Sequence, residues 1–268
     1  MQKVSVSAVN STGFPEGLQR LCYVSGYDGL EDEALLLPPK EGGWWIVCLH
    51  GFEGRSNQIF MRRDIKQSWL PEFLKGGYGV LSPNLRGDSW MNQNSRLDLS
   101  ELLDYLREDY GARHFIFTSG SMGATGSLIY ACHRPEDVSG LDLHGAASDM
   151  AAYYAFCNAS QDPLVQKVCN SIVMAYGGTP GEAPKVYYEQ SALNYASILR
   201  GIPFFLMHGS LDSVMPVSQS RRLAAALCDS SRFVYMEVPG GDHNAPLALE
   251  GQLLPGHPSS LEWIRSFY

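Results

Sequence analysis

The sequence predicts the α/β class, with a mostly parallel central sheet and helices packed on both faces. Three observations carry this. Apolar runs of strand length alternate with longer amphipathic runs along most of the chain. Such alternation favours right-handed crossovers, and hence parallel strands covered on both sides. The composition, 45% hydrophobic and 18% charged over 268 residues, supplies a core large enough for one such domain, 1–268.

The elements follow in order. "EALLLPP" and "WWIVCLHG" read as early strands, and "IKQSWLPEFLKGG" as a helix ended by glycines. "YGVLSPNLRG" is a strand, and "DLSELLDYLREDYG" a helix with Asp98 or Ser100 near its cap. "RHFIFTSG", "SMGATGSLIYACH" and "VSGLDLHG" give strand, helix, strand. An irregular stretch at about 148–185 reads as a short insertion. "PFFLMHG", "SQSRRLAAAL" and "RFVYMEVPG" resume as strand, helix and strand, and "SSLEWIRSFY" closes the chain as a helix.

Several classes of function are excluded by composition. A net charge of −8 argues against nucleic acid or an anionic membrane surface as partner. No apolar run reaches the roughly 18 residues of a membrane span. The N-terminal "MQKVSVSAVNSTGFPEG" lacks a secretory signal pattern, so a cytoplasmic location is expected, a leader removed earlier being left open. The "NST" at Asn10 and "NAS" at Asn158 then carry no glycosylation meaning. Six cysteines show no metal-like spacing, and no metal or cofactor is expected. Cys157 and Cys169 are the one close pair, and a disulfide between them is left open but disfavoured without export. Composition leaves the oligomeric state undetermined.

In a parallel sheet the chemistry gathers at the carboxyl ends of the strands. Ser121 follows "HFIFTSG", Asp212 follows "PFFLMHG" and His243 follows "RFVYMEVPG". A serine hydroxyl needs a base to take its proton, and the base works best when a carboxylate fixes its tautomer. Asp242 adjoins His243, but an immediate neighbour points its side chain elsewhere; Asp149 is a further acid beyond "LDLHG". Asp212 is the preferred orienter. The small residues around Ser121 fit a nucleophile on a tight strand-to-helix turn, G-x-S-x-G, with Gly123 as the second glycine and Ser119 in place of the first.

The order Ser, Asp, His is that of the α/β-hydrolase triad, and the chain resembles that fold. Within it, the chain resembles the catalytic domain of the prolyl oligopeptidase family. The resemblance rests on "YDGLEDEALLLPPK", on "VCLHGFEG" as a His-Gly oxyanion loop, on "SPNLRGD", on "GGDH", and on the last third, with its His-Gly-x-x-Asp segment. It implies a serine hydrolase in which Ser121 attacks, His243 moves protons and Asp212 orients His243. The family's β-propeller does not precede these motifs here, which turns the expectation from a peptidase toward a free-standing esterase. An oxyanion hole would combine the N–H of Met122 with that of Phe52, and His50 would brace the loop by hydrogen bonding.

For the pocket, His144 is a candidate, or else a strand cap. Arg86 either joins Asp88 in a turn network or faces an acidic substrate group. Tyr153, Tyr154, Phe156 and Tyr176 either line an apolar acyl pocket or close the insertion's own core. A lid this short argues against a lipase acting at an interface. The expected partner is a small ester. A short peptide is the alternative substrate, and a non-catalytic, hydrolase-like binding module is a reading from another class.

Overall fold

The computed structural model describes residues 3–39, 42–248 and 259–268. Met1, Gln2 and Lys40, which belong to stretches read above, lie outside the described residues.

The chain opens with three antiparallel strands, β1 (Lys3–Ala8), β2 (Gln19–Val24) and β3 (Glu31–Leu37). Then come β4 (Trp44–Val47), α1 (Gln58–Met61), α2 (Arg63–Lys75), β5 (Gly79–Pro83), α3 (Gln93–Tyr110), β6 (His114–Gly120), α4 (Met122–His133) and β7 (Gly140–His144). Helices α5 (Met150–Ala159), α6 (Pro163–Tyr176), α7 (Pro184–Glu189) and α8 (Ala196–Leu199) lie between β7 and β8 (Phe204–Gly209). Helix α9 (Ser218–Ala226), β9 (Phe233–Val238) and α10 (Ser260–Arg265) complete the described chain. The strands form one sheet in the order β1-β2-β3-β5-β4-β6-β7-β8-β9, parallel from β5 to β9.

Alternation along the strands sends residues to two cores. Trp45, Val47, Phe115, Phe117, Leu141 and Leu206 pack with the apolar faces of α3 and α4. Ile46, Cys48, Val80 and Ile116 pack against Ile65, Trp69 and Phe73 of α2 and Ile264 of α10. Strand order reverses between β4 and β6, since the chain passes from β4 to β5 on one side and then to β6 on the other. The crevice at such a switch point is where α/β sheets hold their ligands. The loops after β4 and β6 open into it.

Three readings are corrected. Helix α3 begins at Gln93, capped by the Asn92 side chain that accepts from Ser95 N, so Asp98 lies inside the helix and is buried. The stretch at 148–185 is helical. Its cues are local: Asp149 caps α5, Asp162 with Pro163 starts α6, and Gly177 ends α6 in the left-handed conformation. Strands β1 and β2, absent from the reading above, extend the sheet at its antiparallel edge. Cys157 and Cys169 are both free and both buried. Among the described residues no helix is long and apolar enough to cross a membrane.

Candidate active site

Strand β6 ends at Gly120, and Ser121 turns the chain into α4 with φ 58 and ψ −125. A non-glycine residue in that region is strained, and the surroundings must hold it there. Ser121 N–H donates to His144 O at 2.9 Å, and Thr125 N–H and hydroxyl both donate to Ser121 O. Room is made by Gly123: a Cβ there would stand 2.2 Å from Leu49 O, so α4 starts flush against the end of β4. Ser119, in the place of the first glycine, is fully buried and accepts from Leu49 N–H at 3.0 Å and from the Ser127 hydroxyl.

The structure brings the three strand-end side chains together. His243 Nε2 lies 2.9 Å from Ser121 Oγ, and His243 Nδ1 lies 2.7 Å from Asp212 Oδ2. The other carboxylate oxygen, Oδ1, accepts from Val214 N–H and Met215 N–H. Burial by itself would raise the Asp212 carboxyl. The donors from His208, His243 and the Met215 amide outweigh it and hold the carboxyl well below the usual range. The other acids are engaged elsewhere. Asp242 accepts from Asn244 and Ala245 amides, while Asp149 caps α5 and pairs with Arg222.

Beside Ser121, amides on either side of Phe52 are committed: Gly51 N–H donates to Gln58 Oε1 and Glu53 N–H to Asp88. Met122 opens α4, where backbone donors have no partner within the helix. Among the described residues neither the Phe52 nor the Met122 N–H has a protein partner. His50 braces this loop, its ring nitrogens meeting the carbonyls of Gly51 and Asn84 at 2.9 Å.

A cavity of about 350 Å³ opens over Ser121 and His243. One wall is apolar, built by Phe52, Trp69, Trp90, Tyr153 and Val168; Gln58, Arg62 and Asn244 supply polar atoms. Arg62 forks onto Asp64 and also donates to Asn244 Oδ1. Burial raises the Asp64 carboxyl, but the Arg62 guanidinium and the Ile65 amide together outweigh it and hold the carboxyl low, so the cation is matched locally.

Of the pocket candidates, Tyr153 lines the cavity, while His144, Arg86, Tyr154, Phe156 and Tyr176 do not. His144 is buried against Trp69, and burial lowers its pKa; it is its carbonyl that supports Ser121. Arg86 is spent on Asp28, Asp98 and Ser25, a network that does not include Asp88. Tyr154 packs edge-on to Tyr187 in the core shared by α5, α6 and α7. Tyr176 is buried in that same core, with its hydroxyl on Trp90 O. Sequence reasoning passed over Gln58, Arg62, Trp69, Trp90 and Asn244. Trp69 lay on the apolar face of a helix already read; the others carried no local signal.

The fold is the α/β-hydrolase fold. A family profile described as "alpha/beta hydrolase fold" matches residues 45–174. Among solved structures, the chain is similar to a Mycobacterium tuberculosis puromycin-hydrolyzing peptidase, with 21% identity and a TM-score of 0.62 over 91% of this chain and 37% of that one. It is similar to a Pyrococcus horikoshii acylaminoacyl peptidase at 16% identity and TM-score 0.62, over 94% of this chain and 41% of that one. An S-formylglutathione hydrolase from Agrobacterium tumefaciens, at 13% identity and TM-score 0.63, is covered over 94% of its length by 91% of this chain. The chain thus spans well under half the length of the two peptidase chains, and nearly all of the third. No curated protein sequence matches it. The resemblance to α/β hydrolases, and among them to prolyl oligopeptidase catalytic domains, holds at the level of the fold.

Proposed function

We propose that the chain is a serine hydrolase that cleaves carboxylic esters of small or medium acyl groups through an acyl-enzyme. The observation that carries this is the hydrogen-bonded run Asp212–His243–Ser121 at the base of the cavity, beside two unpartnered amides. Ser121 Oγ attacks the carbonyl carbon while His243 Nε2 takes its proton. The oxyanion is received by the N–H groups of Phe52 and Met122, each donor commonly worth about a hundredfold or more in rate. Collapse returns the proton from His243 to the leaving alkoxide. Water, deprotonated by His243, then attacks the acyl-enzyme, and the acid departs as Ser121 recovers its proton. Helices α5 and α6 act as a lid whose Tyr153 and Val168 face the acyl group.

Among the described residues lining the cavity none is a carboxylate, so the protonated amino terminus of a peptide finds no ionic partner there. That favours esters. A small serine peptidase is the second reading, favoured by the two peptidases among the similar structures.

The test is intact mass after exposure to a fluorophosphonate probe, with a p-nitrophenyl ester panel run in parallel. One adduct on wild type and none on Ser121→Ala, with ester turnover lost, is the expected result. Equal ester rates from the two proteins would sink the proposal. A kcat/KM for aminoacyl arylamides above that for esters would move the assignment to peptidase.

A further inference from the structure

Asp212 is held by a second histidine that the reaction scheme does not use. His208, next to last in β8, is fully buried. Its Nε2 lies 3.2 Å from Asp212 Oδ2 and 2.9 Å from Met215 O, and its Nδ1 lies 2.6 Å from Ser220 Oγ. The proton positions follow from the partners. A carbonyl and a carboxylate only accept, so Nε2 carries a hydrogen shared between them. The Ser220 hydroxyl donates to Nδ1 when the ring is neutral. Asp212 therefore has two amide donors on Oδ1 and two imidazole donors on Oδ2, and His208 and His243 compete for the same oxygen.

We propose that His208 is a positioning residue: it fixes the plane of the Asp212 carboxylate from behind and weakens Oδ2 as an acceptor, thereby setting how tightly the His243 imidazolium is held. The inference rests on the serine-hydrolase reading above. A carboxylate with fewer donors is a stronger base toward those that remain. Removing His208 should therefore strengthen the His243–Asp212 bond and favour protonated His243, which cannot act as a base.

Other ionisable groups around this pair are spoken for. On β9, Glu237 is paired with Arg221 of α9, and Arg222 of α9 reaches Asp149. Tyr153 of α5 donates to Val214 O, and exposed Asp242 caps its own loop. On β7, His144 stacks on Trp69 and Asp142 accepts from Ser260. Among the described residues Asp212 alone makes an ion-pair contact with His208.

The experiment compares wild type, His208→Gln and His208→Met in the full chain. Two readouts are followed: the pH profile of kcat/KM on p-nitrophenyl butyrate, and the low-field proton resonance of His243 Nδ1–H, assigned by its loss in His243→Ala. For His208→Met the acid limb is expected to move to higher pH by about half to one unit, with kcat falling more than KM rises and the resonance moving downfield. His208→Gln keeps a weaker N–H donor and should fall between. If His208→Met does not fold, His208→Gln alone carries the test through the same two shifts. A limb and a resonance that stay at the wild-type positions in the folded variants would overturn the proposal, because lost packing alone moves neither. The resonance needs no turnover. Loss of the ester reading therefore leaves this coupling testable, and an unmoved resonance alongside a normal Ser121 adduct rejects only the role of His208.

Discussion

The Ser119 hydroxyl accepts a hydrogen bond from the Leu49 N–H at 3.0 Å, which ties the strand carrying Ser121 to the strand that leads into the Phe52 loop. Both groups are buried, and this is the amide's one partner among the described residues. A buried amide left without an acceptor costs about 1–3 kcal/mol. Ser119→Ala should lower stability by that amount in urea unfolding. Ser119→Gly, although it writes the more usual glycine into the turn, should do no better. An unchanged unfolding midpoint in both would show that the bond is not contributing.

Gly123→Ala asks for a Cβ 2.2 Å from the backbone carbonyl oxygen of Leu49, which no side-chain rotation can relieve, so either α4 or the end of β4 must shift. The expected outcome is loss of fluorophosphonate labelling by more than about a hundredfold even in protein that stays folded, since Met122 N–H moves with α4. Labelling within a few fold of wild type would contradict it.

The depressed Asp212 carboxyl makes stability depend on pH in a defined direction. A carboxyl held below its unfolded value of about 3.9 stabilises the fold above that pH, and the contribution is lost as pH falls toward the folded value. The gap in unfolding free energy between wild type and Asp212→Asn should be widest near neutrality and narrow below about pH 4. A gap that widens on acidification would reverse the sign assigned here.

Substitution at Val168, buried and on the cavity wall, should separate acyl groups by size. Val168→Phe fills space that a longer chain would use. On a p-nitrophenyl series, turnover of hexanoate relative to acetate should drop by about four- to fifteenfold, one or two excluded methylenes each being worth about 0.8 kcal/mol. An unchanged ratio would place the acyl group elsewhere.

The thiols give a further check. Cys22 and Cys228 are exposed, while burial pushes the Cys132 and Cys157 thiols up to about 12. A thiol reagent at pH 8 should titrate two groups quickly in the native protein and all six in denaturant. Fewer than six after unfolding would mean a bond that the structure does not have.

The parallel half of the fold was legible because its strands are unbroken apolar runs ending in glycine or a polar residue, as "HFIFTSG" and "PFFLMHG" show. The same endings marked Ser121, Asp212 and His243 as neighbours across the sheet. What was missed has physical reasons. In β1 the repeat "VSVS" alternates as an edge strand should, but its polar half hides it beside stronger runs. Asp98 looked like a cap because aspartate favours helix starts, whereas here the Arg86 guanidinium stabilises it inside α3. The contact of Arg62 with Asn244 joins segments far apart in sequence, and Gln58 reaches back across a loop to the Gly51 amide, so no periodic pattern encodes either.

Trp90 and Met122 belong to the same packed cluster as Tyr153, Val168, Cys169 and Tyr176, so the helices between β7 and β8 share their interior with the loop after β5 and with the residue that follows Ser121. Those helices are therefore not a detachable cassette. A chimera that imports a foreign α5–α7 segment to change substrate preference would leave Trp90 and Met122 facing unmatched surfaces and would disturb α4 along with the cavity. Transplants should succeed only when the residues at 90 and 122 are exchanged together with the donor's helices.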